Sequence, residues 1–120
     1  MNIEEIREYC LSKACITESM PFDETTLVFK VKNKMFALLH IEEPHSVNLK
    51  CDPNLAIDLR ERYQSVLPGY HMNKRYWNTI ILDGLVSDKL VCEWIDHSYN
   101  QVIAGLTKRD KVALTKNKGN

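Results

Sequence analysis

The sequence predicts an α+β domain, an antiparallel sheet with helices packed on one face, and three observations predict it. Apolar residues recur at three- and four-residue steps around residues 3–14, 55–63 and 90–103, the period of a half-buried helix. Between residues 25 and 51 the period changes to two, the signature of strands with one covered face. Turn-forming residues, among them Asn33, Asp52-Pro53, Pro68-Gly69 and Asp83-Gly84, stand between these stretches.

The first helix carries Ile3, Ile6, Cys10 and Ala14 on its inner side, takes Asn2 as N-cap, and is expected to end near Ile16. A short edge strand is expected around Glu18 to Phe22, although Pro21 removes a donor there. Leu27, Phe29 and Val31, and then Met35, Ala37, Leu39 and Ile41, form two strands whose hairpin turns at Asn33, a residue that tolerates positive φ. Val47, Leu49 and Cys51 make a third strand. On this alternation Val28, Lys30, Phe36, Leu38, His40, Asn48 and Lys50 fall on the face away from the core, a mixture of apolar and basic groups.

Asp52-Pro53 starts the second helix, because Asp accepts from free amides and Pro needs no donor at the first helical position. Its inner stripe is Leu55, Ala56, Leu59 and Tyr63, with Asp58 and Arg62 paired across one turn outside. Leu67-Pro68-Gly69 reads as a turn, and Tyr76 to Leu82 as a further strand. Ser87 caps a third helix with Leu90, Val91, Trp94, Ile95, Val102 and Ile103 inward, and Gly105 before Leu106 suits a left-handed cap. One domain over residues 1–110 follows, with 111–120 as a loose basic tail.

A chain of 120 residues buries roughly two-thirds of its unfolded surface without crosslinks. No apolar run approaches the ~20 residues of a membrane span, and the start MNIEEIREYC lacks a signal peptide's basic-then-apolar order, so a cytoplasmic monomer off the membrane is expected. Cys10, Cys15, Cys51 and Cys92 are dispersed with no CxxC spacing and read as reduced thiols. His40, His45, His71 and His97 show no paired ligand spacing, so neither metal nor other cofactor is expected. Sixteen basic and sixteen acidic side chains balance to zero. The balance is uneven: residues 1–24 hold Glu4, Glu5, Glu8, Glu18, Asp23 and Glu24 against Arg7 and Lys13. Residues 106–120 hold Lys108, Arg109, Lys111, Lys116 and Lys118 against Asp110.

The strings LVFKVKNKMFALL, VNLKCDP, PGYHMNKRYWNT and HSYNQVIAGL together resemble the MmcQ/YjbR family along residues 1–110. The resemblance implies a CyaY-like α+β fold and a DNA-binding role. The chain departs from the family pattern at Asp23 and Asn33, where Gly is usual, at Tyr76, where His is frequent, and at Thr107, where Pro is common.

The densest polar and aromatic cluster is Tyr70-His71-Met72-Asn73-Lys74-Arg75-Tyr76-Trp77-Asn78. It combines cations for phosphates, amides for base edges and rings for stacking. The candidate nucleic-acid-binding residues are therefore Tyr70, His71, Asn73, Lys74, Arg75, Trp77 and Asn78, joined by Lys50, Lys108 and Arg109. The competing structural reading makes Trp77 a core residue and lets Asn73 and Asn78 hydrogen-bond a buried turn. No catalytic residue is assigned: there is no Gly-rich phosphate loop and no GxSxG, and His97-Ser98 are adjacent on one helix and so face different ways. DNA is the expected partner and the module is expected not to be an enzyme. The alternatives are an adaptor for protein or small ligand using the open sheet face, and frataxin-like metal handling, for which Glu4, Glu5 and Glu8 are sparse.

Overall fold

In a computed structural model, which describes residues 1–118 and the side chains of residues 1–115, six strands form one antiparallel sheet in the order β1-β2-β3-β4-β6-β5. Helix α1 (Ile3–Leu11) opens with a reciprocal capping box: Asn2 Oδ1 accepts from the Glu5 N–H at 2.8 Å, and the Glu5 carboxylate accepts from the Asn2 N–H at 3.1 Å. It stops at Leu11, earlier than expected, because the Ser12 hydroxyl donates to the Tyr9 carbonyl and Cys15 takes a left-handed φ of 61°. The edge strand β1 (Ile16–Ser19) correspondingly lies before Pro21 and not across it, and pairs with β2 (Thr26–Val31).

Lys32 and Asn33, with φ of 47° and 66°, close the hairpin from β2 into β3 (Lys34–His40), as a primed two-residue turn requires. The register shifts along this pair: Phe29 faces Ala37, but Lys30 faces Met35, so Phe36 is an extra residue. The bulge overturns the simple alternation. Phe36 joins Ala37 in the helix-side core, while Met35 packs on the opposite face against Val28, Leu38 and Trp77.

Strand β4 (Ser46–Lys50) leads through Asp52, whose carboxylate accepts from the Asn54 and Leu55 N–H groups at 3.1 Å, into α2 (Pro53–Arg62). Strand β5 (Val66–Pro68) occupies part of the segment expected to be a turn, and pairs at the far edge with β6 (Trp77–Ile81). Helix α3 (Asp88–Ala104) is capped by the Ser87 hydroxyl, which accepts from the Leu90 N–H at 3.3 Å. Gly105 is right-handed, with φ of −88°, and not the left-handed cap expected. The chain passes through Leu106 and starts again as α4 (Lys108–Lys118) where a loose tail was expected. The Thr107 hydroxyl accepts from the Asp110 N–H, and Leu114 is buried in the main core, which together hold that turn in place. The side chains of Lys116 and Lys118, counted with the basic tail, lie outside the described residues.

The main core joins Ile6 and Cys10 of α1, Ala56 and Leu59 of α2, Trp94 and Ile95 of α3, and Leu114 of α4 to one face of the sheet. Among the described residues the helices therefore cover one face, and the other is left to side chains and loops.

Candidate functional site

The uncovered face is organised in cross-strand rows fixed by the register. The middle row runs Val28, Leu38, Asn48, Thr79, Leu67. Beside it runs Thr26, His40, Ser46, Ile81. Residues paired in this way have Cβ atoms roughly 4.5–5.5 Å apart, so each row is a continuous strip of contact surface. On the other side of the middle row Lys50 pairs with Trp77.

One end of this face is roofed. Residues 69–76 fold back across it, with Met72 packed on the small cluster of Val28, Leu38 and Trp77. Gly69 anchors the turn: its N–H donates to the Trp77 carbonyl at 2.9 Å, and a Cβ at this position would meet the Trp77 Cβ at 2.7 Å. The Asn48–Thr79 pair holds the next residue. The Tyr70 N–H donates to the Thr79 hydroxyl at 2.9 Å, the Asn48 amide donates to the Tyr70 carbonyl at 3.3 Å, and the Thr79 hydroxyl donates to Asn48 Oδ1. His71 then takes a φ of 58° in the Gly69–Met72 turn.

The other end is open. The loop before β2 brings Phe22 and Asp23, the β3–β4 loop brings Pro44, and the Tyr70–Met72 turn faces them, enclosing a cleft of about 760 Å³. That is inside the roughly 300–1,000 Å³ of small-molecule sites. The floor includes Leu38, Ile81 and Leu67, and the polar strip Thr26–His40–Ser46 crosses it. Among the described residues no Lys or Arg lines the cleft. The one carboxylate among its described residues, Asp23, is held below the ordinary aspartate range by the Thr25 N–H at 2.8 Å and by the Thr25 and Thr26 hydroxyls. Among the described residues His40, His71 and Ser46 have no side-chain hydrogen-bond partner, and the His71 ring lies against Tyr70 with centroids 4.0 Å apart.

Of the residues singled out in the sequence, Tyr70 and His71 line this cleft. Lys74 and Arg75 are exposed just beyond it, and the Arg75 guanidinium lies 5.6 Å from the centre of the Tyr76 ring. Asn73 is occupied in the loop itself, accepting from the Arg75 N–H at 2.9 Å. Trp77 and Asn78 are corrected to framework residues: both are buried, Trp77 in the small cluster and Asn78 donating to the Ala56 carbonyl at 3.3 Å. Lys50 stays on the open face, half-buried. Lys108 and Arg109 are exposed on α4, an element of the helix layer, and so are not gathered with the Tyr70 turn. The sequence reading missed Phe22, Asp23, Ser46 and Thr79 as cleft residues. For Ser46 and Thr79 the signal was present, since both fall on the outer phase of strands already recognised.

Two of the thiols, Cys10 and Cys51, offer little nucleophilic character. Burial pushes Cys10 up to about 12 and Cys51 to about 11. Among the described residues no group of three or more His, Cys, Asp and Glu side chains is placed to hold a metal ion. No helix among them is long and apolar enough to cross a membrane.

Comparison with known proteins places this arrangement. The chain is 33% identical to the Escherichia coli K12 protein YjbR over 115 residues, covering 95% of this chain and 98% of that one. It is 37% identical to YbdF of Escherichia coli O157:H7 over 92 residues, 76% of this chain and 75% of that one. The crystal structure of the Deinococcus radiodurans protein DR2400 superposes with a TM-score of 0.89 at 39% identity, over 95% of this chain and 88% of that one. The YjbR family pattern matches residues 11–101, which contain the whole sheet and the cleft, and the chain belongs to the YjbR family.

Proposed function

We propose that this chain is a non-enzymatic, monomeric, cytoplasmic binding module whose ligand is a small organic molecule held in the cleft on the open sheet face. The observation that carries the reading is the unpartnered polar strip of His40 and Ser46, set in an apolar floor and walled by three loops. A few convergent polar groups in a mostly apolar concavity are the usual chemistry of such sites. The non-enzymatic part rests on what is missing around those groups among the described residues: His40 and Ser46 share no hydrogen bond, and Asp23 is engaged by Thr25 and Thr26, so no base-and-orienter relay stands beside the hydroxyl. The buried thiols suit a reducing compartment. The test is amide chemical-shift mapping of the full chain against a library of ring-containing fragments. Shifts concentrated at 38–48, 67–72 and 79–81 support the reading, and a library that moves none of these overturns it.

A second reading, nucleic-acid binding with DNA as the target, is favoured by a different observation: Tyr70, Lys74, Arg75 and Tyr76 are all exposed within one loop. Cations there would meet phosphates and the rings would stack on bases. It ranks second because the chain's charges balance and no Lys or Arg among the described residues lines the concavity. Its test is fluorescence anisotropy with single- and double-stranded oligonucleotides across a salt series, with affinity on the order of 10⁻⁴–10⁻⁶ M at physiological salt. Lys74→Glu with Arg75→Glu should weaken binding on all sequences alike. Wild-type protein that binds no oligonucleotide even at low salt removes this reading.

A further inference from the structure

We infer that the ligand of the cleft is an uncharged, planar, hydrogen-bonding ring compound, read at its edge by His40 and Ser46 and stacked against the His71–Tyr70 pair. The inference rests on the cleft reading above and adds the chemical class. Three independent features of the site point to it.

The first is charge. With no Lys or Arg among the described residues of the lining, a carboxylate or phosphate would lose its hydration without gaining a counter-ion. It would also share the cleft with Asp23, which Thr25 and Thr26 hold in its ionised form. A cationic ligand fares little better, because that carboxylate is exposed to water and already accepts from those two residues. A neutral molecule meets neither obstacle.

The second is the pairing of His40 with Ser46 across β3 and β4. A neutral imidazole has one donor and one acceptor, and a hydroxyl does both. Side by side they match an edge on which a donor stands next to an acceptor, as in an amide or a heteroaromatic ring. Thr26, the next residue in the strip, is turned toward Asp23 and leaves the reading to the other two.

The third is His71. A left-handed φ of 58° in a tight turn is the conformation that glycine adopts without strain. The chain nevertheless carries an imidazole there, lining the cleft with its ring against Tyr70, which is itself 70% exposed. Two adjoining rings at the mouth of an apolar floor reward a flat partner. A side chain kept where the backbone favours its absence is a mark of use.

The experiment uses three ligands of one shape that differ in charge and in the donors and acceptors that go with it, naphthamide, naphthoate and naphthamidinium, titrated into the full chain and followed by amide shift mapping. Naphthamide is expected to shift the cleft amides and to bind at least about tenfold more tightly than either charged isostere. His71→Gly is expected to keep the fold and weaken naphthamide by about tenfold. Ser46→Ala, with His40→Asn as a second variant, should erase the preference for the amide. If naphthoate or naphthamidinium binds the cleft as well as naphthamide, the neutral class is wrong while the cleft reading stands. If His71→Gly binds as the wild type does, the stacking role is wrong. If none of the three perturbs the cleft, the site reading itself fails, and this inference with it.

Discussion

Ser98 holds the bulge of β3 in place: its hydroxyl donates to the Phe36 carbonyl and accepts from the Lys50 N–H at 2.8 Å. The two backbone groups belong to neighbouring strands, β3 and β4, just past the last pair of their ladder, Ala37 with Leu49, where the extra residue of the β2–β3 pair sits, and a fully buried side chain from α3 bridges them.

Ser98→Ala should therefore cost more than the loss of one hydrogen bond. It strands a buried carbonyl and a buried N–H together, each carrying a desolvation penalty of about 1–3 kcal/mol. Urea unfolding should show a loss of roughly 2–4 kcal/mol with little change in slope. A loss below about 1 kcal/mol would mean that water or a shifted strand satisfies the pair.

The Asn48–Thr79 contact makes a local prediction. Thr79→Val preserves shape but removes the acceptor of the Tyr70 N–H, so hydrogen exchange at Tyr70 should speed up while exchange in β2 and α3 stays as in the wild type. The global cost should be about 1 kcal/mol. Equal acceleration across the sheet would show that the turn is not a separately held unit.

His71→Gly should raise the unfolding temperature. Relief of a left-handed residue is worth about 1–3 kcal/mol, and the added freedom of glycine in the unfolded chain returns about 0.4–1 kcal/mol of that. A net gain on the order of 1 kcal/mol should appear in thermal unfolding. A loss would mean that the His71–Tyr70 ring contact outweighs the backbone strain.

Acid should destabilise the fold through identifiable groups. The Leu85 N–H and then the Ser65 hydroxyl hold Asp83 below its ordinary range, and the Arg7 guanidinium does the same to Glu18. A carboxylate depressed in the folded state contributes stability above its unfolded pKa of about 4, lost as pH falls through the folded value. Urea midpoints should thus be flat from neutrality to about pH 5 and fall below about pH 4. Asp83→Asn keeps an acceptor for the Leu85 N–H but no longer titrates, so its acid limb should be shallower. An unchanged limb would remove Asp83 from the account.

Cys10 is fully buried, and its thiol is pushed up to about 12 by desolvation. It should resist iodoacetamide at pH 8 in the native protein and react once urea unfolds the chain. Mass spectrometry of the modified peptides decides this, and rapid native labelling would contradict the packing of α1.

Much of the fold was legible because it is written in local chemistry. Asp52-Pro53 and Ser87 are helix starts by their own capping groups, and Lys32-Asn33 closes a two-residue hairpin as its flanking alternation required. What escaped has a physical reason in each case. Period-two reading assumes an unbroken pleat, so the extra Phe36 inverted the faces of Phe36 and Met35. Strand β5 is three residues ending in a proline, too short and too turn-like to register. Helix α4 buries Leu114 but has little apolar stripe, and its one clear sign was Thr107 three residues before Asp110. For the site, Tyr70 and His71 were found because they sit in a dense cluster. The cleft was not found, because loops distant in sequence meet around a strip that only strand pairing assembles. Trp77 and Asn78 belong to the same run of letters as His71, but a strand begins at Trp77 and sends them to opposite faces, Asn78 toward α2 and Trp77 under the Met72 roof, where both are buried.

Gly69 and Trp77 close residues 70–76 into a loop whose two ends are fastened to each other by the Gly69 N–H and the Trp77 carbonyl. A loop tied at its base is a replaceable cassette. The Tyr70 backbone and the Met72 side chain are themselves fixed to the sheet, so within the cassette it is the exposed side chains of Lys74 and Arg75 that can be exchanged without a change reaching the register of β4 and β6.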